Sequence, residues 1–500
     1  MDEQQDRAAL KLVIHPLLFG LSALLLHLWR LDAKSIWIDE ALTAYHSTFS
    51  FSELWSTPVT NKPPLYYALT SWFWSPGETA FALRLPAAIL GAILVAVGWL
   101  FGRALAGERG GHWLALFLLL SDINLHYSQE ARHYILLMLG WMLLMLAMAR
   151  MLGQLSEDAP GTPRHGDLLT WSLGALLMAH AHPVGFIYLA ASLLAWLAGL
   201  LASRRTPPPF LYLPLLMTGA VVATLLPWLF HAIDNASIVF EWLRQPSPGR
   251  ALIEWISLFG AKNLALLTGR SSAIVASALL FILSLGGVLY YFWRRRRGVG
   301  AWLLGLFLLP PLMLYLTGLV KPVYMLRTLS PLHLVAMTGL MLAVTALPRG
   351  KTRIVAASVL ALTLAASSWG WLSRYQKEAW RDLGAQLSAQ LKPGDVVLLC
   401  ESALYHPIHF YLGEKTPVMI DLDPRRQRLL MRESVQKPWK PILLTPDNHP
   451  RGAIWAVNRY RHCPDDMTPI LRYLTGEEYS AGKTWRGHAL SLTPYRPRTP

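Results

Sequence analysis

The sequence predicts a polytopic α-helical membrane protein that ends in a small soluble α/β domain, and three observations carry this reading. Of 500 residues, 54% are hydrophobic and only 15% charged, whereas soluble chains carry about 25% charged residues. Apolar stretches recur from Leu12 to Trp371, many of them approaching the ~20 residues that cross a bilayer. From Ser373 onward the long apolar runs give way to short segments punctuated by turn residues. The expected domains are therefore 1–372 in the membrane and 373–500 outside it.

Length and flanking charge place about eleven spans. They lie near Lys11–Trp29, Leu83–Ala106, His112–Leu120, Tyr134–Leu152, Leu168–Ala179, Pro183–Leu201, Phe210–His231, Ser272–Trp293, Ala301–Leu319, Thr328–Leu347 and Ile354–Leu372. His112–Leu120 and Leu168–Ala179 are short, as a broken helix or one running on into its loop would be. The first run lacks a small-residue cleavage site and reads as a retained anchor.

A formal net charge of +15 raises the question of a nucleic-acid partner. The basic residues sit in short loops, "YYFWRRRRGVG" at Tyr290–Gly300 above all. That is the distribution of a positive-inside topology signal, not of a phosphate-binding surface, so no nucleic acid is expected. The loops holding Arg103/Arg109, Arg150/Arg164, Arg204/Arg205, Arg294–Arg297 and Arg349/Lys351/Arg353 fall on one side with the N-terminus, the cytoplasmic side. The outer side receives Leu31–Phe81, Ser121–His133, His180–Pro183, Ala232–Ser271, Val320–Arg327 and the tail.

In the tail, "LSAQLKPGDVVLLCESALYHPIHFYLG" reads as helix, Pro-Gly turn, buried strand and helix. "TPVMIDL", "GAIWAVNRY" and "HALSLTPY" are further strands. Cys400 and Cys463 both lie here. On an oxidising side they are free to pair, while the position of Cys400 at the end of an apolar strand equally suits a buried thiol.

Polar groups that lose hydration near a bilayer mark function by default. In "IWIDEALTAYHS" a helix from about Asp39 puts Ile38, Leu42, Tyr45 and Phe49 on one face and Asp39, Thr43, His46 and Ser50 on another. This is the pattern of an interfacial helix on the outer membrane surface. Asp39 is either a functional carboxylate or the N-cap, and Glu40 either supports it or supplies a favourable first-turn charge. In "NKPPLYYALTSWFW", Pro63 and Pro64 stiffen the chain and start the next helix, which fixes Lys62 beside the membrane. Lys62 there is a phosphate ligand or a snorkelling lysine.

The outer loop "LHYSQEARHYILL" places Tyr127, Glu130 and Tyr134 on one helical face, and likewise His126, Glu130 and His133. Its single Glu-x-x-His falls short of the two copies that a di-iron site needs. Glu130 is then an acid at a helix mouth or a partner of Arg132. His180 and His182 in "MAHAHPVGF", and Lys321, Tyr324 and Arg327 in "KPVYMLRTLSPLHL", add polar groups at the outer ends of spans. Arg327, entering an apolar run, is the costliest of them.

The elements "WIDEALTAYH", "NKPPLYYAL", "ALRLPAAILGAILVAVGWLFGRALAG", "HYSQEARHY" and "MLRTLSPLHL" occur in that order over roughly the first 350 residues. In this order and spacing the chain resembles the GT-C glycosyltransferases of the family 39 type, which include protein O-mannosyltransferases and lipid A aminoarabinose transferases. The C-terminal "PGDVVLL" domain looks like those appended to many bacterial members. The resemblance implies transfer of a sugar from a polyprenyl-phosphate carrier to an acceptor on the outer face, with inversion. It implies residence in the bacterial inner membrane with a periplasmic tail, and an acceptor that is lipid, glycan or protein. By resemblance Asp39 is the catalytic acid with Glu40 beside it, and Lys62 contacts the carrier phosphate. Glu130 resembles the second acidic position and Arg327 the basic residue before the penultimate span; beside these, Arg132 is a further candidate for binding the donor phosphate. Tyr66, Tyr127, His180, His182, Lys321 and Tyr324 are candidates for the substrate pocket. For the arginine that those transferases carry in the large middle outer loop, Arg244 and Arg250 are the candidates.

The chemistry of glycosyl transfer asks for the same groups. An oxocarbenium-like transition state needs a carboxylate base near the acceptor hydroxyl and fixed positive charge where the leaving phosphate gains charge. "SDIN" at Ser121–Asn124 lacks the second acid of an Asp-x-Asp metal element, so no metal or other cofactor is expected to be required. Two alternatives stand beside this reading: a ligase moving a larger glycan from a pyrophosphate carrier, and a lipid or sugar transporter. A transporter would be expected to show repeated halves with Gly/Pro-broken spans and polar groups at mid-membrane.

Overall fold

The computed structural model describes residues 2–56, 62–154, 163–203, 208–226, 228, 245–259, 261–399, 404–415, 418–421, 452–459 and 479–498. The chain divides into two compact units. The first comprises Met1–Leu31, Phe51–Leu69 and Arg84–Tyr375, and the second Asp32–Ser50, Thr70–Leu83 and Gln376–Pro500.

The first unit is a helical membrane body. Seven described helices are long and apolar enough to span a bilayer: Leu10–Leu28, Ala80–Leu119, Tyr134–Gln154, Val184–Ser203, Arg270–Arg294, Arg297–Gly318 and Lys351–Ser373. His165–Ala181, at 17 residues, and the apolar helices Tyr212–Ala223 and Leu332–Ala346 are shorter. The stretch Ala80–Leu119 is two helices joined at a kink, where Ala106 and Gly107 leave helical geometry and Gly107 takes φ 71°, a value that glycine adopts without a Cβ clash. The halves then fold back on one another: a Cβ on Gly102 would lie 2.5 Å from the Gly110 carbonyl and 2.9 Å from Leu114 Cβ. The two expected spans Leu83–Ala106 and His112–Leu120 are therefore the arms of this hairpin.

Small residues close the other helix contacts as well. A Cβ on Gly140 would lie 2.9 Å from the Gly174 carbonyl, and one on Gly199 would lie 2.9 Å from the Gly298 carbonyl. In lipid, where apolar side chains gain little by leaving the solvent, such close backbone approach is a main source of helix association. Polar ties add to it: Trp141 Nε1 donates to Ser192 Oγ (2.9 Å), and the Tyr188 hydroxyl donates to the Thr328 carbonyl (2.9 Å).

The second unit is α/β. Its six described strands form one mixed sheet: β1 (Val396–Leu399), β2 (Val418–Asp421), β3 (Ile454–Arg459), β4 (Tyr479–Ala481), β5 (Trp485–Gly487) and β6 (Leu490–Pro497). The order is β2-β1-β3-β6-β4, with β5 also on β6; β1 runs parallel to β2 and β3, and the pairs with β6 are antiparallel. Each of the four strand motifs read in the sequence supplies a strand of this sheet. Cys400 and Cys463 lie outside the described residues.

The helix Ile38–His46 belongs to this unit. The sequence pattern put its apolar face on the membrane surface. Instead Ile38 is buried with Leu404, Ile408 and Leu412, Leu42 packs against that cluster, and the Tyr45 ring lies 4.9 Å from His406. An apolar stripe specifies burial, not what does the burying. Further ties hold the segment: Arg381 Nη2 donates to Asp32 Oδ1 (3.0 Å), and the Ile36 amide to the Tyr411 hydroxyl (2.9 Å).

Candidate functional site

In the first unit, the loop 121–133 carries the buried polar groups. The helix expected to run from His126 through Tyr134 breaks: one helix covers Asp122–Ser128, with Ser121 as its cap, and the next starts at Tyr134. The break is held from several directions. Asp122 is buried, and its Oδ2 accepts from Asn263 Nδ2 and Ser367 Oγ, both at 2.8 Å. Burial pushes the Asp122 carboxyl up from the usual range, against these hydrogen bonds. Gln129 Nε2 donates to the carbonyls of His27 (3.1 Å) and Trp29 (2.8 Å), and its Oε1 accepts from Trp371 Nε1 (3.1 Å). His126 stacks on Trp371 with centroids 3.9 Å apart.

These anchors fix a cluster of charged and aromatic side chains. Glu130 is 3% exposed, and its Oε2 lies 2.9 Å from His126 Nε2. Next to it Arg132 and His133 are each 1% exposed. The His133 ring stacks on His182 at 4.6 Å, meets Tyr134 at 4.6 Å and approaches Tyr66, a fully buried tyrosine, edge-on at 6.4 Å. Tyr127 and Tyr134 are 5.4 Å apart, so the two tyrosines expected on one helical face meet although the helix does not run through. Among the described residues neither His133 nitrogen has a hydrogen-bond partner, so the ring offers one donor and one acceptor to a ligand. His182 Nδ1 accepts from the Val184 amide (3.0 Å), which leaves the proton of the neutral ring on Nε2.

The electrostatics of this cluster are one-sided. Burial first, then His182 and the cations Arg132, Lys62 and Arg327, hold His133 well below its ordinary pKa. His182 is lowered by burial and by Lys62, Arg132 and Arg327. Both rings are therefore neutral at pH 7, and three cations from three separate segments act on the same place. Lys62 precedes Pro63 and Pro64, and the helix Leu65–Ser71 follows at once, as the sequence suggested. Arg327 sits on the short helix Leu326–Leu329, separate from the next helix Leu332–Ala346, where its Nε donates to Met325 Sδ (2.8 Å). Tyr127 is raised by burial and by Glu130. Three converging cations with neutral hydrogen-bonding rings and aromatic faces suit a phosphorylated ligand that carries a sugar.

Other candidates go elsewhere. His180 stacks on Trp55 at 5.8 Å, and its Nε2 lies 2.9 Å from Thr224 Oγ1. The Tyr324 hydroxyl donates to the Ala251 carbonyl (2.9 Å), and Lys321 is exposed. Arg250 is exposed and pairs with Glu254 at 3.4 Å; Arg244 lies outside the described residues.

In the second unit, Trp37 is the cap residue of the Ile38–His46 helix, so Asp39 is not its N-cap but a half-buried first-turn residue. Glu40 is fully buried and takes an ion pair of 2.8 Å from Lys377, itself almost wholly buried. Lys377 carried no sequence signal, since its partner is 337 residues away. His133 entered the sequence reading only through a metal-ligand spacing, and nothing local in the sequence announces its burial beside His182.

No family model and no curated protein sequence matches the chain. Solved structures do. ArnT from Cupriavidus metallidurans bound to undecaprenyl phosphate matches over 96% of this chain and 97% of that one, with TM-score 0.61 and 14% identity. Its apo state matches over the same shares at TM-score 0.61 and 15% identity. The Archaeoglobus fulgidus oligosaccharyltransferase in complex with Zn and sulfate matches over 96% of this chain and 73% of that one, at TM-score 0.50 and 14% identity. The chain thus has an ArnT-like, GT-C-type fold carrying a small C-terminal sheet domain.

Proposed function

We propose that the protein transfers a sugar from a polyprenyl-phosphate carrier to an acceptor hydroxyl at the outer face of the bacterial inner membrane. The observation that carries this reading is the convergence of Lys62, Arg132 and Arg327 on the buried His133 and His182 beside Glu130. It lies in a fold shared with a structure that holds undecaprenyl phosphate.

In the reaction the bond from the anomeric carbon to the phosphate oxygen breaks as the acceptor oxygen bonds the same carbon from the opposite face. The base takes the acceptor proton. A phosphodiester of charge about −1 becomes a phosphomonoester approaching −2, so fixed cations bind the product side more strongly than the donor. That differential accelerates the step. Lys62, Arg132 and Arg327 supply the charge in this reading, and Tyr66, Tyr127 and Tyr134 supply faces for the sugar. Asp39 is the base; this assignment rests on its match in the first outer loop. Glu40, clamped by Lys377, fixes the helix that carries Asp39. No metal is required on this path: the Asp-x-Asp element is incomplete, and Asp122 is committed to Asn263 and Ser367. The N-terminus faces the cytoplasm and the tail the periplasm, following the arginine-rich loops.

The test is mass spectrometry of envelope glycans, lipids and proteins from cells with and without the protein. A sugar-sized mass lost from one acceptor class together with the protein supports the proposal. Loss of a long glycan block would favour a pyrophosphate-dependent ligase, and an unchanged envelope would contradict both.

A further inference from the structure

The first unit holds a second cluster of polar groups that the proposed chemistry does not use. His15 lies on the first helix, and Glu108 and His112 open the second arm of the Ala80–Leu119 hairpin just after the Gly107 kink. Their ligand atoms all lie within 4.8 Å of one another. We infer that His15, Glu108 and His112 form a binding site for a divalent transition metal of the zinc class, clipping the first helix to the hairpin turn.

His15 Nδ1 stands 3.5 Å from Glu108 Oε1, close to the ~3.3 Å that separates two ligands on a tetrahedral zinc with bonds of about 2.0–2.1 Å. The third ligand has to close by at most about 1.5 Å, within reach of a side-chain rotation. His15 Nδ1 is buried and, among the described residues, makes no hydrogen bond. His112 Nδ1 donates to the Glu108 carbonyl at 2.7 Å, so its proton is fixed there and Nε2 keeps its lone pair. Metal-bound histidines are oriented by this kind of hydrogen bond. Glu108 and His112 share a helix face at i, i+4. The rings are braced by one another at 4.7 Å and by Trp99, 5.5 Å from His15 and 5.9 Å from His112.

One group competes: Lys11 Nζ lies 3.7 Å from Glu108 Oε1, with its side chain 58% exposed. Such a surface pair contributes about 0–1 kcal/mol and gives way to a bound cation. Two imidazoles and one carboxylate leave a position for water, and the half-exposed Glu108 leaves it a path. The site stands one helix length, about 18 Å, from the loop 121–133, so it is separate from the cation cluster. The metal would act by stabilising the hairpin turn, by an amount that grows as the logarithm of its concentration above the dissociation constant.

The experiment uses the full chain purified in detergent without a polyhistidine tag and stripped with a chelator. Zn²⁺ is titrated by calorimetry, and Co²⁺ is added to read its visible absorption. The expected result is one Zn²⁺ per chain, a tetrahedral Co²⁺ spectrum and a higher melting temperature with metal. His15→Ala and His112→Ala should each weaken binding by more than the ~10–100-fold typical of losing an outer-shell partner. Glu108→Gln, at an exposed position, should also weaken it, whereas Lys11→Met should bind at least as tightly as the parent. Absence of a stoichiometric site, or binding unchanged by His112→Ala and Glu108→Gln, would overturn the inference.

Discussion

Replacing Lys62 by alanine removes one of three cations that act on the His133–His182 pair. If the ligand there is a phosphate, the loss is a charge-assisted hydrogen bond in a place shielded from water, worth about 1.5–3 kcal/mol. At 1.4 kcal/mol per tenfold, carrier affinity falls roughly 10- to 150-fold. Arg132 and Arg327 remain, so binding weakens without vanishing. The carrier monophosphate has nearly twice the charge of the sugar-bearing diester, and it should lose more affinity than the diester does. Lys62→Arg should keep part of the binding, because the wider guanidinium carries the charge but not the compact geometry. The assay is intrinsic fluorescence, for which the 21 tryptophans provide signal, titrated with the polyprenyl monophosphate and with its sugar diester. Affinities of Lys62→Ala within about twofold of the parent for both lipids would exclude a phosphate contact and make Lys62 a snorkelling side chain.

Two further outcomes follow from buried charge. Glu40→Gln or Lys377→Met alone should destabilise the second unit by about 3–5 kcal/mol, and the double variant by distinctly less, because a lone buried charge costs more than a neutral pair; thermal unfolding of the set reads this. His133 and His182 are held neutral by burial and by the cations, so their folded pKa values lie below the unfolded 6.5. As pH falls below about 6.5 the unfolded histidines take up protons that the folded ones refuse, and stability declines until the folded values are reached. His133→Gln should flatten part of that decline in a melting-temperature series from pH 7.5 to 5.

The membrane body was largely legible in the sequence because bilayer thickness dictates the length of an apolar run and loop arginines mark its ends. Even the hairpin at Gly107 showed as two neighbouring spans with glycines between them. The C-terminal strands were legible for a similar reason, since Val396–Leu399 and Ile454–Arg459 are apolar runs bounded by turn residues. What periodicity could not supply was the partner of each face. The helix Ile38–His46 has the amphipathic pattern of a membrane-surface helix, yet Ile38 and Leu42 pack with Ile408 and Leu412. Tyr127, Glu130 and Tyr134 were grouped by an unbroken helix that does not exist, and the two tyrosines meet across its break. Pairings such as Glu40 with Lys377 and His133 with His182 join distant segments and leave no local trace.

Sugar transfer from a lipid phosphate with Asp39 as base stands or falls on turnover by the Asp39→Asn variant. The substitution keeps the size of the side chain, and the favourable first-turn charge it gives up is worth about 0.3–1 kcal/mol of helix stability. On the proposed mechanism it removes the group that accepts the acceptor's proton. Purified parent and variant are given a polyprenyl-phosphate sugar with membrane acceptors, and release of polyprenyl monophosphate is followed while donor affinity is measured in parallel. The expected result is release by the parent, unchanged donor affinity in the variant, and a rate lower by about two to four orders of magnitude. Release by the variant within roughly threefold of the parent, or no release by the parent from any polyprenyl-phosphate sugar, would contradict it.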